Sequence, residues 1–213
     1  MPPRYWEVLM AENTTGWRRV LSLPAAYRLA QAAIGSPNVR RQLVETYLRP
    51  ETNQRILDIG CGTGDLTEHL PSVRYVGHDP SYDYIAAAQR SYGDFGQFIL
   101  GGVGQVELEP DSFDLAVAKG VLHHLDDPLA RTLFDEAAAA LRPGGRLVTI
   151  DPAFDTDQSK IARFLASRDR GQNVRTLAGY RDLVPSAFSG VESTLHHDLL
   201  RVPYTHAVLV LTR

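Results

Sequence analysis

Between residues 55 and 151 the chain alternates short apolar runs with stretches of helical spacing, and no other feature restricts its fold as tightly. "RILDI" (55–59), "VRYVGHD" (73–79), "QFIL" (97–100), "FDLAVAK" (113–119) and "RLVTID" (146–151) read as strands. A glycine-rich turn with a helix from about Asp65 to Leu70 separates the first two. Ser81 caps the next helix, "YDYIAAAQRSY", which Gly93 is placed to close from a left-handed position. Asp127-Pro128 opens another, in which Leu129, Leu133, Phe134, Ala137 and Leu141 recur at helical spacing. Arg142-Pro143-Gly144-Gly145 has the residue order of a type II turn. "FDLAVAK" is apolar on both faces, as in a parallel strand covered by helices on each side. The alternation predicts an α/β fold, a mostly parallel sheet wound on both faces with right-handed crossovers.

The flanks depart from this rhythm. Ser36-Pro37 starts a helix over "NVRRQLVETYL" that ends near Pro50, and "YRLAQAAI" reads as another. Beyond Asp151, residues 158–168 and "GYRDLV" read as helices. "VESTLHHDLL" and "THAVLVLTR" read as two strands of an antiparallel ending, which brings the sheet to seven. A length of 213 residues suits one domain with additions. Its expected parts are an N-terminal helical cap (1–54), a core (55–151) and a substrate-side insertion with the closing strands (152–213).

The net charge of −3 divides unevenly. Residues 55–157 hold 7 Lys/Arg against 17 Asp/Glu, a balance of −10, while the flanks hold 15 against 8. An acidic middle between basic ends argues against a nucleic-acid footprint over the whole fold. Cys61 is the only cysteine, so no internal disulfide forms. The N-terminus lacks the pattern of a signal peptide, and no apolar run approaches the roughly 20 residues that span a bilayer. A cytoplasmic protein without a membrane partner is expected.

In an open α/β sheet, ligands sit beyond the carboxyl ends of the strands where strand order reverses. Here "RILDI" runs into Gly60-Cys61-Gly62-Thr63-Gly64, a turn in which backbone can approach a ligand closely. Nicotinamide dinucleotides and S-adenosylmethionine both use such turns. The dinucleotide spacing G-x-G-x-x-G is not met, because Asp65 stands where its third glycine belongs, and an acid there repels a pyrophosphate. Asp79 follows the second strand and can take both hydroxyls of a ribose. Asp58, inside the first strand, needs a donor or a cation, and the ammonium of a methionine moiety would serve, the alternative being capping of loop amides.

"ILDIGCGTG", "YVGHDP", "SFDLAVAKGVLHHL" and "LRPGGRLVTID" occur in the order and at the spacing of class I S-adenosylmethionine-dependent methyltransferases, which the chain resembles over residues 37–151. The resemblance implies a Rossmann-like, doubly wound, mostly parallel seven-stranded sheet with an antiparallel last strand, plus N-terminal helices. It implies S-adenosyl-L-methionine as cofactor and S-adenosyl-L-homocysteine as product. Carried onto this sequence, it places Gly60, Cys61 and Gly62 at the methionine part, Asp79 at the ribose, and the residues after strand three, Gly102 and Val103, at the adenine; Asp58, Gly64 and Pro80 complete the expected cofactor-binding set. Lys119 to His124 would face the methionine and the reacting methyl. Many members carry an acid just after strand three, whereas here the chain reads "ILGGVGQVE" with Gly102 in that place. If the N-terminal helix covers the site, Arg40 is the candidate for the cofactor carboxylate. Arg41 would point about 100° away from it.

A sulfonium methyl is already activated, so such a protein mainly aligns a nucleophile and excludes water. An acceptor hydroxyl must also lose a proton, and His123, His124 and Tyr180 are the candidate bases. Shaping of the pocket is the competing role for the histidines. Arg168, Asp169, Arg170, Arg175, Arg201, Tyr204 and His206 suggest an anionic or sugar-like small-molecule acceptor, with surface salt bridges as the alternative. Trp6, Trp17 and Tyr27 read as core or lid aromatics, and no metal site is expected from the paired histidines. The expectation is therefore methyl transfer to a small O- or N-nucleophile by a monomer or homodimer. A non-catalytic S-adenosylmethionine-binding sensor or partner subunit is the alternative, with an NAD-dependent oxidoreductase behind it.

Overall fold

A computed structural model describes residues 41–168, 171–197, 199 and 202–213. The expectations for Trp6, Trp17, Tyr27, Ser36-Pro37, Arg40, Asp169, Arg170 and Arg201 fall outside the described residues. Eight strands follow in order: β1 (Arg55–Ile59), β2 (Arg74–Asp79), β3 (Gly96–Leu100), β4 (Phe113–Lys119), β5 (Leu141–Phe154), β6 (Arg175–Thr176), β7 (Gly190–His196) and β8 (His206–Thr212). The sheet runs β3-β2-β1-β4-β5-β8-β7, with the two-residue β6 paired to β5 off this path. β1 to β5 are parallel, whereas β8 lies antiparallel to both β5 and β7. The chain moves outward from β1 to β3 and then returns to place β4 on the other side of β1. The carboxyl ends of β1 and β4 therefore face the crevice where ligands bind in such sheets.

Period-two alternation divides the core between the two faces. Leu57, Ile59, Phe113 and Leu147 pack with Leu133 and Phe134 on one side. Ile56, Leu115, Val117 and Val148 pack with Leu43, Leu48 and Ile85 on the other. The helices form where caps and spacing direct. Ser81 Oγ accepts from the Tyr84 amide at the start of α1 (Tyr82–Tyr92), and Asp126 from the Leu129 amide at the start of α2 (Asp127–Ala140). Ser159 caps α3 (Lys160–Ser167) and Thr176 caps α4 (Leu177–Arg181) in the same way.

Four local expectations are corrected. Gly93 ends α1 with φ −59°, not left-handed; a Cβ there would lie 2.5 Å from Gln89 O, so space dictates the glycine. The helix after the glycine turn is a five-residue 3₁₀ segment, Asp65–His69, in which Thr67 N and Oγ1 both donate to Gly64 O before Pro71 stops it. The type II turn has Gly144 at φ +79°, but it sits inside β5. Phe113 pairs with Leu141 and Leu115 with Arg146, so Arg142–Gly145 bulges out of the ladder. Leu141 is accordingly a strand residue, not the end of α2.

Ahead of β1 the chain is helical from Arg41 and widens to a π-helical turn at Val44–Leu48 before Pro50. The Arg146 guanidinium donates to the carbonyls of Tyr47 (3.2 Å) and Leu48 (2.6 Å), and the Tyr47 hydroxyl meets His196 Nε2. These contacts fasten the segment across the sheet, where it forms a wall of the crevice.

Candidate active site

A cleft of about 710 Å³, measured out to its open mouth, lies at the carboxyl ends of β1 and β4. Leu43, Val44 and Leu48 form one apolar wall and Val117 and Ile150 another, while Asp58, Gly60, Cys61, Gly62, Thr63 and Lys119 line the floor and rim. The three turn glycines all have positive φ, but for different reasons. A Cβ on Gly60 would come within 2.6 Å of Val121 Cγ2, so this glycine lets the turn close on the segment after β4. A Cβ on Gly64 would meet Phe98 and Tyr92 at 2.9 and 3.0 Å. Gly64 thus also lets Phe98 and Tyr92 pack against the turn. At Gly62 a Cβ would meet nothing within 4 Å, and that open space belongs to the cleft.

Asp58 is 4 % exposed and accepts from the Tyr75 hydroxyl at 2.6 Å. Burial raises its carboxyl to about 6, opposed by Tyr75, Lys119 and His78. The Tyr75 contact follows from register: Asp58 pairs with Gly77, and Tyr75 sits two residues earlier on the same face. Gly77 in turn leaves room for Cys61, which lies 2.8 Å from where a Cβ would be. Burial, then Asp58 and Asp79, push the Cys61 thiol well up, so it stays protonated and serves as a small lining residue.

Asp79 closes the turn from β2. One carboxylate oxygen accepts from the Gly62 amide (3.0 Å) and the other from the Ser81 amide (2.8 Å). A carboxylate oxygen accepts more than one hydrogen bond, so these amides and a ribose hydroxyl can share it. Pro80, Gly102 and Val103 lie beside it at the ends of β2 and β3, outside the cleft lining. The residue that sequence reasoning missed there is Gln105. Its Oε1 accepts from the Gly102 amide at 3.0 Å and would lie 3.3 Å from a Cβ on Gly102, so its carboxamide packs directly beside Gly102.

On the β4 side the structure joins His123 to a partner 28 residues away. His123 Nδ1 lies 2.8 Å from Asp151 Oδ1, which also accepts from the His123 amide at 3.2 Å. Both side chains are buried, at 5 % and 1 % exposure. A carboxylate only accepts, so Nδ1 carries the hydrogen and the basic lone pair of a neutral ring is on Nε2. Burial raises the Asp151 carboxyl, and its bonds to His123 oppose the shift. The ring edge carrying Nε2 faces between two glycines. A Cβ on Gly120 would sit 3.8 Å from Cε1, and one on Gly171 would overlap Cδ2. The His124 ring tilts against His123 at 4.0 Å between centroids.

Two expected site residues are corrected. Tyr180 is fully buried and its hydroxyl donates to Pro152 O at 2.8 Å, which makes it a core residue and not a base. Arg175 spends its five donors on Asp127 Oδ1 twice and on the carbonyls of Leu122, Asn173 and Leu125. It clamps the segment after β4 and leaves no N–H for an anionic acceptor. Among the described residues no group of three or more His, Cys, Asp or Glu could hold a metal, and no helix is long and apolar enough to cross a membrane.

Comparison with known proteins agrees with this geometry. A family profile described as a methyltransferase domain matches residues 56–145. A tRNA U34 carboxymethyltransferase of Shewanella frigidimarina is 32 % identical over 134 residues, covering 60 % of this chain and 39 % of the relative. An O-methyltransferase of Penicillium expansum is 33 % identical over 152 residues, 63 % of this chain and 54 % of the relative. The chain thus spans about half or less of the length of these relatives. The exclusion of nucleic acid drawn from the charge division gains no support, since one of them acts on tRNA. A phosphoethanolamine N-methyltransferase of Haemonchus contortus, solved with phosphomonomethylethanolamine and S-adenosylhomocysteine, superposes with a TM-score of 0.73 at 15 % identity, covering 92 % of this chain and 58 % of that one. The crevice, the glycine turn and the acid after β2 thus lie in a stretch, residues 56–145, that matches a methyltransferase domain, within a fold shared with S-adenosylmethionine-dependent methyltransferases.

Proposed function

We propose that the protein transfers the methyl group of S-adenosylmethionine to a nucleophilic oxygen or nitrogen of a small molecule. The observation that carries this reading is the cleft at the β1–β4 crevice, open at Gly62 and floored by the buried Asp58. That space and charge suit a methionine moiety: Asp58, ionised above pH 6, faces its ammonium, and the Gly60–Gly62 backbone lies alongside. Lys119 shares the rim and draws Asp58 towards its ionised form. Asp79 with Pro80 serves the ribose, and Gly102, Val103 and Gln105 seat the adenine. Asp65 opens the 3₁₀ segment where a dinucleotide pyrophosphate would lie, which disfavours NAD.

When bound, the cofactor supplies an electrophilic methyl on a sulfonium. The protein's part is to hold an acceptor in line with it and to remove a proton where the nucleophile is a hydroxyl. His123 Nε2, fixed as the basic nitrogen by Asp151, takes that proton at the end of β4. His124 packs against the ring and shapes its surroundings. Residues 1–213 act as one domain in this reading, with the segment before β1 as a wall and the region after β5 as the acceptor side. An anionic acceptor is no longer supported by Arg175.

Calorimetric titration with S-adenosylhomocysteine, with NAD as control, tests the cofactor. Micromolar binding of the first alone is expected. Binding of NAD, or of neither, overturns the reading.

A further inference from the structure

Beneath the loop after β3 lies a buried pair of side chains that methyl transfer itself does not use. His78, at 1 % exposure near the end of β2, directs Nδ1 at Gly101 O (3.0 Å) and Nε2 at Glu136 Oε1 (2.9 Å). Glu136 reaches in from α2, and its Oε2 accepts from the Gly104 amide at 2.5 Å. One pair therefore grips the carbonyl at one end of Gly101–Gly104 and the amide at the other. The loop is closely fitted around this grip. A Cβ on Gly101 would lie 2.6 Å from Val106 Cγ2, and one on Gly104, at φ +73°, 2.9 Å from Thr132 Cγ2. The Gly101 amide is tied to Asp79 O at 3.1 Å.

Both partners of the imidazole only accept hydrogen bonds. A neutral ring has one N–H and satisfies one of them; an imidazolium satisfies both. The contact with Glu136 is a close charge pair and not a well-aligned hydrogen bond, so attraction between opposite charges holds it. The groups facing His78 are Glu136 from α2, Asp79 at the end of β2 and Asp58 from β1. Burial disfavours the charged ring, but Glu136, the Gly101 carbonyl and Asp79 outweigh it, and His78 titrates above its ordinary 6.5.

We propose that His78 and Glu136 are positioning residues for the adenine seat: the protonated pair holds Gly101–Gly104 in shape for the cofactor, and loss of the His78 proton releases one end of the loop. The proposal rests on the reading that this loop seats adenine. It makes cofactor affinity a bell-shaped function of pH. The basic limb belongs to His78: its raised value means the grip is complete below 6.5 and lost as pH rises through that value. The acidic limb belongs to Asp58, which ionises at about 6 and must be charged to face an ammonium.

The experiment is calorimetric binding of S-adenosylhomocysteine from pH 6 to 9 to the unaltered protein, Glu136→Gln and Glu136→Ala. The unaltered protein should bind more weakly at pH 9 than at pH 7, with a limiting slope of about tenfold per pH unit once His78 has lost its proton, as expected when binding is linked to one proton. Glu136→Gln should flatten that basic limb, because a carboxamide accepts from Gly104 N–H and donates to a neutral imidazole. Glu136→Ala should bind weakly at every pH. The ligand's own amine titrates identically in all three, so the difference isolates the pair. A basic limb as deep in Glu136→Gln as in the unaltered protein, or a flat profile in the unaltered protein that binds well, overturns the clamp. A lower melting temperature in both variants with an unchanged pH profile marks a structural role and overturns it equally. Absence of binding in the unaltered protein instead overturns the cofactor reading, and the clamp with it.

Discussion

The two sides of the crevice are built by different means. On the β1 side the site is mostly backbone: a turn of three glycines at positive φ, closed by one carboxylate that holds the Gly62 and Ser81 amides. On the β4 side it is mostly side chains drawn from distant stretches. His123 meets Asp151, Arg175 gathers carbonyls from residues 122, 125 and 173, and Tyr180 reaches Pro152. A backbone cradle tolerates few residue types and leaves a mark in the sequence. A side-chain lattice can be assembled by many sequences, and it is there that acceptor choice and proton transfer can vary while the cofactor half stays fixed.

The comparison breaks most visibly at His123. With a hydroxyl acceptor found by screening, His123→Ala should lower kcat about 10²- to 10⁴-fold and leave S-adenosylhomocysteine affinity unchanged. Asp151→Asn should act in the same direction by freeing the ring's tautomer. Equal loss of cofactor binding in both would merge the two sides into one site. Gly62→Val tests the cradle. A β-branched side chain at φ +55° is strained and fills the cleft, so cofactor binding should fall below detection, while His123→Ala binds normally.

Asp58→Asn separates stability from binding. The Asp58 carboxyl titrates at about 6 when folded, against 3.8 for the free group. The folded state then binds the proton more tightly than the unfolded chain, so stability falls as pH rises from about 4 through 6. Above pH 6 the buried charge costs about 3 kcal/mol, since each tenfold difference in proton affinity between the two states is worth about 1.4 kcal/mol. Asn should therefore raise the melting temperature at pH 8, by a smaller amount if Tyr75 is left less well paired, and weaken cofactor binding. A lower melting temperature at pH 8 would show that the charge is better compensated than its burial implies. The smallest effect is expected at Arg175. Arg175→Met should cost about 2 kcal/mol of stability through its lost carbonyl bonds, with the acceptor's KM unchanged for anionic and neutral acceptors alike.

Much of the fold was legible because its determinants are local. Each core strand announced itself by a run of four to seven residues rich in apolar side chains, and Ser81 capped its helix as read. The Asp127-Pro128 signal marked α2 with the cap one residue earlier, at Asp126. Where local signals misled, a contact from elsewhere had the deciding role. Gly93 read as a glycine of conformation, yet its φ is −59° and a helix carbonyl crowds it. Arg142–Gly145 read as a turn between elements, but the pairing of Gly144 and Gly145 with Arg213 keeps it inside β5.

By itself, then, the sequence determined the order of strands and helices, the glycine turn after β1, and the acids at 58 and 79. Those features depend on spacing within a few residues, and period and glycine content record such spacing directly. Only the tertiary structure decided that His123 is oriented by Asp151, that Arg175 has no donor left for an acceptor, that Gln105 accepts from the Gly102 amide, and that His78 and Glu136 grip the loop after β3. An ionisable or hydrogen-bonding side chain takes its role from the partner beside it, and across 28 to 58 residues of chain that partner is chosen by the packing of the sheet.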